Sequence, residues 1–415
     1  MNFFSAMPSS KIADNLDAII RIVLAVYIGV LPFKSLLIVE RNGFILLLGL
    51  LVGWCVVNRR FFYSQTPHNM LLLAFVVWVG LTIPFAVDLF YSLKEYGKLL
   101  QHMVVFYSVI YFFRDLRFRQ VLLGLIGGIV IAATAYGLSQ FDLENPQAVG
   151  SFLLAEVWLT TFLVMFIPFA LALALGEGPP EIRSVGTIAA GMMIVCLLST
   201  QSRAGLVALI GELWVVACFI RSVFAKTVAT LATICVIAGI MLVFNEATTG
   251  VSADITYRIP FNKGLASMVH RLEIWRFSLS EIAKHWLVGI GYGNLSYIWL
   301  YGQDEEALVL GHSPITYVGT HNIFLYLALH IGLPGLLLFV WFVIQFVAKT
   351  AKAYHRVHAW MPKTVLLGTV GSVTGLILRL QFDQMLVGSL ATFFWVLLAL
   401  ARLSYPSDSE VAREI

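Results

Sequence analysis

One histidine, His321, stands where a long polar interval meets an apolar run, in the string Thr320, His321, Asn322, Ile323, Phe324. Thr320 is predicted to cap the helix that follows, and the positive end of a helix disfavours a protonated imidazole. A neutral imidazole at pH 7 can accept a proton from an attacking hydroxyl. His321 is therefore the candidate general base; the alternative is an interfacial histidine bonded to a loop carbonyl.

Three arginines lie in polar parts of the chain next to apolar runs. Arg203 follows Gln201 and Ser202 in a very short turn, and Arg271 and Arg276 lie on a segment with helical periodicity. A guanidinium group is planar and binds two oxygens at once, which suits a diphosphate. Each arginine alone is explained equally well by contact with lipid headgroups. Three arginines near one histidine favour an anion-binding site.

Other polar residues are weaker candidates. Arg379 and Asp383 are spaced i, i+4 around the last polar turn, which favours an ion pair. We interpret this pair as structural, although with Asn322 it could border the site. The acidic run at 304–306 has no carboxylates elsewhere to complete a metal site, so we predict neither metal nor cofactor. The glycine-rich string at 289–294 lacks the strand-to-helix context of a nucleotide-binding loop and predicts a tight turn.

The elements that position these residues are membrane spans. Of 415 residues, 60% are hydrophobic and 12% charged, more apolar than a soluble domain can hide. The net charge of +4 is too small and scattered to predict a nucleic-acid partner. Apolar segments of about 17–25 residues can cross a bilayer as helices. Twelve such segments lie at 18–38, 43–58, 68–87, 97–113, 119–139, 151–175, 184–201, 203–221, 225–245, 321–348, 363–380 and 384–403.

The placement of basic residues predicts the orientation of these spans. With a cytoplasmic N-terminus, 16 of the 27 basic residues lie inside, in short loops or at the two termini. Basic residues concentrate on the cytoplasmic side of membrane proteins, so both termini are predicted to be cytoplasmic. Residues 246–320 then form one periplasmic loop within a single transmembrane domain, 1–415. Apolar residues recur at three- and four-residue steps from Leu265 to Trp286, which predicts an amphipathic helix on the membrane surface.

The motifs resemble those of a known family. The string Gln201 to Gly205, the segment from Arg271 through Trp275, the turn at 289–294, and His321-Asn322 followed by Gly332 to Gly335 are similar to the membrane domain of O-antigen ligases. O-antigen polymerases and bacterial protein O-oligosaccharyltransferases share this domain. The resemblance implies an all-α, GT-C-like membrane protein of about twelve transmembrane helices, with a large periplasmic loop between the ninth and tenth.

The resemblance also implies an activity. A ligase of this family is a metal-independent, inverting glycosyltransferase of the bacterial inner membrane. Its donor is undecaprenyl-diphosphate-linked O-antigen, and its acceptor is the lipid A core oligosaccharide on the periplasmic face. Carried over to this chain, His321 is the general base, and Arg203 and Arg271 bind the diphosphate. Arg276 and Asp383 match the family less well.

Three alternatives stay open. Within the family, the chain could be a polymerase or a protein O-oligosaccharyltransferase; the sequence shows no additional soluble domain, which weighs mildly against the latter. A transporter or flippase for a lipid-linked glycan is the alternative outside enzymes. A transporter would place charged residues along a path through the bilayer. Here the polar residues gather at one face, with Glu212 as the main deep exception, which favours surface chemistry.

Overall fold

The computed structural model describes residues 11–142, 144, 147–249, 264–301, 319–384 and 386–406, without the side chains of 11–12, 239–249 and 264–270. These residues contain helices and no strand, as predicted. The run at 304–306 lies outside them. The α-helices are α1 (Lys11–Val30), α2 (Leu37–Asn58), α3 (Asn69–Thr82), α4 (Leu89–Phe112), α5 (Leu116–Ser139), α6 (Glu156–Leu175), α7 (Pro180–Ser199), α8 (Arg203–Ile220), α9 (Val223–Thr249), α10 (Gly264–Lys284), α11 (Leu295–Tyr301), α12 (Ile323–Arg356), α13 (Trp360–Arg379) and α14 (Gly388–Leu403).

Each of the twelve predicted apolar segments overlaps one of these helices. Within the described parts of the chain, seven helices are long and apolar enough to cross a membrane: Lys34–Asn58, Leu116–Ser139, Glu156–Leu175, Pro180–Ser199, Arg203–Ile220, Ile323–Arg356 and Trp360–Arg379. Three shorter apolar helices lie at Asn69–Phe85, Val223–Ala238 and Gly388–Leu403. Multiple spans are therefore found, while the number twelve and the sidedness of the 246–320 loop stay predictions.

The first predicted segment ends too late. We expected helix to residue 38, but α1 ends at Val30, and a 3-10 turn over Lys34–Leu36 precedes α2. Pro32 accounts for this difference, because proline disfavours helical geometry in the residue before it and donates no backbone hydrogen bond.

Helix α13 lies at the centre of the bundle and packs against α6, α8, α12 and α14. Three glycines on α13 allow this close packing. A Cβ added at Gly368 would lie 2.4 Å from Phe169, at Gly371 2.6 Å from Pro168, and at Gly375 2.0 Å from Glu212. Small residues at helix interfaces let backbones approach closely in membrane proteins. This packing fixes the position of the residues that follow Gly375 on α13.

Glu212 is fully buried between α8 and α13. The sequence predicted a carboxyl that is protonated or paired with a neighbouring helix. Neither of its oxygens has a hydrogen-bond partner among the residues that the structure describes. Instead, the Glu212 carboxyl packs directly against α13 at Gly375.

A kink in α12 brings the glycine-rich string against it. Gly332 breaks the helix with φ 73° and ψ 169°. Beside the kink, the amide of Leu333 donates to the Trp286 carbonyl at 2.7 Å, and that of Ile290 to the Leu329 carbonyl at 2.9 Å. Positive φ angles at Gly289, Gly291 and Gly293 confirm the predicted tight turn. A Cβ at Gly332 would lie 2.0 Å from the Leu287 carbonyl oxygen, so glycine is required there.

Helix α10 confirms the predicted helix over most of 265–286, although it ends at Lys284. Its buried residues are Ile274, Ser278, Glu281 and Ile282. The predicted apolar face is divided: Ile282 is buried, whereas Leu272 is 56% and Leu279 58% accessible. Exposed leucines on one side of a helix are what a helix on a membrane surface requires.

A substitution of Gly375 tests the packing of α13. Gly375→Ala should destabilise the protein by about 1–3 kcal/mol, because the added methyl overlaps Glu212. The measurement is the apparent Tm of the purified protein in detergent. Gly191→Ala in α7 is the matched control, since its Cβ would meet nothing within 4 Å and alanine favours helix. Equal Tm values for the two variants would contradict this packing.

Candidate active site

Gln384, in the turn between α13 and α14, links three parts of the chain at one end of the bundle. Its Oε1 accepts hydrogen bonds from the Thr320 amide at 3.2 Å and the Thr320 hydroxyl at 2.7 Å. Its Nε2 donates to Asn294 Oδ1 at 2.6 Å. The α13–α14 turn, the glycine-rich turn and the residues before α12 are therefore joined by one buried side chain.

The residues before α12 hold His321 in a strained backbone conformation. His321 has φ 47°, in the left-handed region that residues with a Cβ rarely adopt. The predicted cap was wrong: Asn322, not Thr320, caps α12, and its Oδ1 accepts from the amides of Phe324 at 2.9 Å and Leu325 at 3.2 Å. The Thr320 hydroxyl donates to Gln384 instead, and the Asn322 side chain caps the helix. His321 therefore lies one residue outside the helix and is half-buried.

Two hydrogen bonds attach this segment to the end of α13. The amide of Ile323 donates to the Leu380 carbonyl at 2.9 Å. The Asn322 side chain donates to the Gln381 carbonyl at 3.2 Å. Leu380 directly follows Arg379. These two bonds therefore hold the backbone at His321 beside the end of α13 that carries Arg379. That Asn322 and Arg379 border a functional site stays a prediction.

Arg203 is the first residue of α8. The Ser202 hydroxyl caps this helix by accepting from the Gly205 amide at 3.2 Å. A Cβ at Gly205 would lie 2.7 Å from Thr160 of α6, so the helix end is pressed against the bundle. The Arg203 side chain is left exposed at this end.

Arg271 lies within electrostatic range of two other arginines. Arg271 on α10 interacts by charge repulsion with Arg203 and also with Arg379. Arg271 is half-buried. Arg276 is exposed and lies five residues further along α10, about 140° round the helix at 100° per residue. Arg203 and Arg271 thus interact electrostatically, whereas Arg276 points away from the side of α10 that carries Arg271.

Arg379 and Asp383 form the predicted ion pair, at 3.2 Å between NH2 and Oδ2. Both residues are buried, with 3% and 7% of their surface accessible. The second oxygen of Asp383 accepts from the Gln384 amide at 2.8 Å. The same short segment therefore holds both the ion pair and the side chain that fixes the His321 loop.

Two half-buried tyrosines, Tyr292 and Tyr326, lie at the glycine-rich turn. Tyr326 stacks on His330 with ring centroids 4.1 Å apart. Tyr292 lies in the turn itself, outside the spans, where burial and the nearby carboxylate of Glu95 raise the pKa of its hydroxyl. A tyrosine with a raised pKa stays neutral at pH 7. These rings pack beside the site and add no charge to it.

The arrangement has the chemistry of an anion site with an imidazole beside it. Three guanidinium groups share the region with the carboxylate of Asp383, so positive charge is in excess and favours a bound anion. Within the described ranges, no group of three or more histidine, cysteine, aspartate or glutamate side chains could hold a metal ion.

Sequence reasoning missed Gln384, Gln381 and Asn294. A signal for the first two was present, because three of the four residues Gln381, Phe382, Asp383 and Gln384 are polar within an otherwise apolar stretch. Their partners could not be found from the sequence, since Gln384 and Asn294 are 90 residues apart.

Removing the Gln384 side chain tests the link to His321. In Gln384→Ala, amides in 319–325 should exchange hydrogen for deuterium at least about fivefold faster, since each lost hydrogen bond contributes about 0.5–1.5 kcal/mol. Exchange is measured by mass spectrometry on the purified protein. Gln120→Ala is the control, because that exposed side chain contacts Met361 elsewhere. Unchanged exchange in 319–325 would show that Gln384 does not hold the loop.

Comparison with known proteins supports the resemblance found in the motifs. Residues 188–340 match the family described as O-antigen ligase. This segment runs from within α7 to within α12 and includes Arg203, Arg271, Arg276 and His321, while Arg379 and Asp383 lie beyond it. No curated protein shows a significant sequence match to the chain. Residues 188–340 of this multi-pass membrane protein are therefore similar to the O-antigen ligase family, in agreement with the motifs.

Proposed function

We propose that this protein is an O-antigen ligase that transfers a glycan from undecaprenyl diphosphate to the lipid A core oligosaccharide. The observation that supports this best is the proximity of Arg271 to both Arg203 and Arg379, next to the segment that holds His321. A cationic cluster beside an imidazole fits a reaction in which a diphosphate leaves and a hydroxyl attacks.

The diphosphate explains why arginines are needed. In the periplasm no nucleoside triphosphate supplies energy, so the donor must bring its own leaving group, and a polyprenyl diphosphate does so. As the bond between the anomeric carbon and the phosphate oxygen breaks, negative charge grows on the diphosphate. Arg203 and Arg271 stabilise that charge because their guanidinium groups are already in position.

His321 acts on the acceptor. Its imidazole takes the proton of the acceptor hydroxyl as the oxygen bonds to the anomeric carbon. The electron pair of the broken carbon–oxygen bond leaves with undecaprenyl diphosphate, and the imidazolium later returns its proton to solvent. Attack on the face opposite the leaving group inverts the anomeric centre. This chemistry uses protein side chains and no metal.

The distribution of charge supports a periplasmic site in the bacterial inner membrane. Basic residues cluster at the other end of the bundle, where Arg119 donates to the Leu403 carbonyl and Lys349 to that of Pro67. By the positive-inside rule that end faces the cytoplasm, with both chain termini. The site and the 246–320 loop then face the periplasm.

Replacement of His321 tests the base. His321→Ala should lower glycan transfer by about 10²- to 10⁴-fold, the usual contribution of general-base catalysis. Transfer is measured with purified protein, lipid-linked glycan and lipid A core. The control is His355→Ala, since His355 stacks on Phe219 at the other end of the bundle. Normal transfer by His321→Ala would reject the base role.

Replacement of the arginines tests the donor site. Arg203→Ala and Arg271→Ala should each weaken the use of lipid-linked donor by at least about tenfold, since a hydrogen bond to a charged group contributes about 1.5–3 kcal/mol. Lys352→Ala, near the C-terminal end of α12, should leave transfer unchanged. The readout is kcat/KM for the donor. Equal effects of all three substitutions would indicate anchoring to lipid headgroups instead.

The choice of acceptor separates the ligase from its relatives. We expect product when lipid A core is supplied. Product with a pilin-type peptide alone would indicate a protein O-oligosaccharyltransferase, and chain extension without either acceptor would indicate a polymerase. Movement of lipid-linked glycan across vesicles without transfer would indicate a flippase.

A further inference from the structure

Arg379 is more than a structural partner of Asp383. Its side chain is 96% buried, and its NH2 group donates to Asp383 Oδ2 at 3.2 Å. Its Nε is buried with no hydrogen-bond partner among the described residues. Buried donors in folded proteins are nearly always paired, so an unpaired N–H on a charged side chain points to an absent ligand.

The charges around Arg379 indicate the kind of ligand. Asp383 supplies one negative charge; its Oδ2 pairs with Arg379, and its Oδ1 accepts from the Gln384 amide at 2.8 Å. Against this, Arg379 experiences repulsion from Arg271. A bound anion would remove this repulsion and use the free N–H.

We propose that Arg379 is a third ligand of the donor's diphosphate, donating its Nε–H to a phosphate oxygen while Asp383 holds the guanidinium in place. This inference rests on the proposed function and extends it beyond Arg203 and Arg271. Asp383 then acts as a positioning residue. The burial of Arg379 makes its hydrogen bond to the leaving group strong, because water does not compete for the donor.

The position of Arg379 also ties the anion to the base. The carbonyl of Leu380, the next residue, accepts a hydrogen bond from the Ile323 amide. The Asn322 side chain donates to the Gln381 carbonyl. A phosphate bound to Arg379 would therefore contact the same segment that is hydrogen-bonded to the residues around His321. Binding of the donor and placement of the base are coupled through the last turn of α13.

The test measures binding rather than transfer. Purified full-length protein in detergent is titrated with undecaprenyl diphosphate, and with undecaprenol as the uncharged comparison. Arg379→Lys keeps a positive charge beside Asp383 but lacks the Nε–H, and the double variant Arg379→Gln with Asp383→Asn removes both charges together. Both should bind undecaprenyl diphosphate at least tenfold more weakly than wild type, with undecaprenol binding unchanged.

A melting measurement separates this role from folding. If the pair were only structural, the double variant, which leaves no uncompensated charge, would keep its Tm and bind undecaprenyl diphosphate as wild type does. That result would overturn the inference while Arg203→Ala and Arg271→Ala still weakened binding. If wild type bound the diphosphate no better than undecaprenol, the proposed function would fail and this inference with it.

Two competitors identify the source of the anion. Inorganic diphosphate should displace undecaprenyl diphosphate from wild type, since it presents the same oxygens. Phosphatidylglycerol at the same concentration should not. Equal displacement by phosphatidylglycerol would assign Arg379 to ordinary lipid headgroups and contradict the proposal.

Discussion

The repulsion among three guanidinium groups is the constraint that the site must overcome. Arg271 lies near both Arg203 and Arg379, and like charges at short range separate unless the fold or a ligand holds them. These arginines come from three helices, α8, α10 and α13. The protein therefore uses packing energy from its apolar interior to keep positive charges together at one end.

Helix α13 and the turn after it show how the protein holds these arginines in place. Glycines at 368, 371 and 375 bring α13 into direct contact with α6 and α8, which fixes the depth of Arg379. Asp383 then pairs with Arg379, and Gln384 joins the same turn to Thr320 and Asn294. Gln384, which the sequence presents as one polar residue of a turn, thus determines where His321 lies. Residues that hold a reacting group in place matter, because in enzymes a displacement of that group by about 1 Å can lower the rate 10²-fold.

The helical fold was predictable because its signal is local. Long apolar runs specify helices in a bilayer, and each predicted run overlaps one. The glycine-rich string at 289–294 was likewise recognised as a turn from its composition. What could not be predicted is its partner: Gly289 lies against the backbone of His330, and this close approach depends on the kink at Gly332. Distant contacts leave no periodic pattern in a sequence.

The candidate site was predictable in its residue types and less so in its geometry. Arg203 and Arg271 stood out because arginine is rare beside apolar runs. The assignment of the helix cap to Thr320 failed because capping preferences are similar for threonine and asparagine, and the hydroxyl of Thr320 had a tertiary partner in Gln384. The pairing of Arg379 with Asp383 followed from helical spacing, but the burial of both residues depends on neighbouring helices.

An experimental structure of the protein with undecaprenyl diphosphate bound would test the central claim most directly. We expect the diphosphate between Arg203 and Arg271, with His321 facing the side from which the acceptor enters. Density for the diphosphate at the other end of the bundle, or Arg271 turned away from Arg203 and Arg379, would contradict the proposed site.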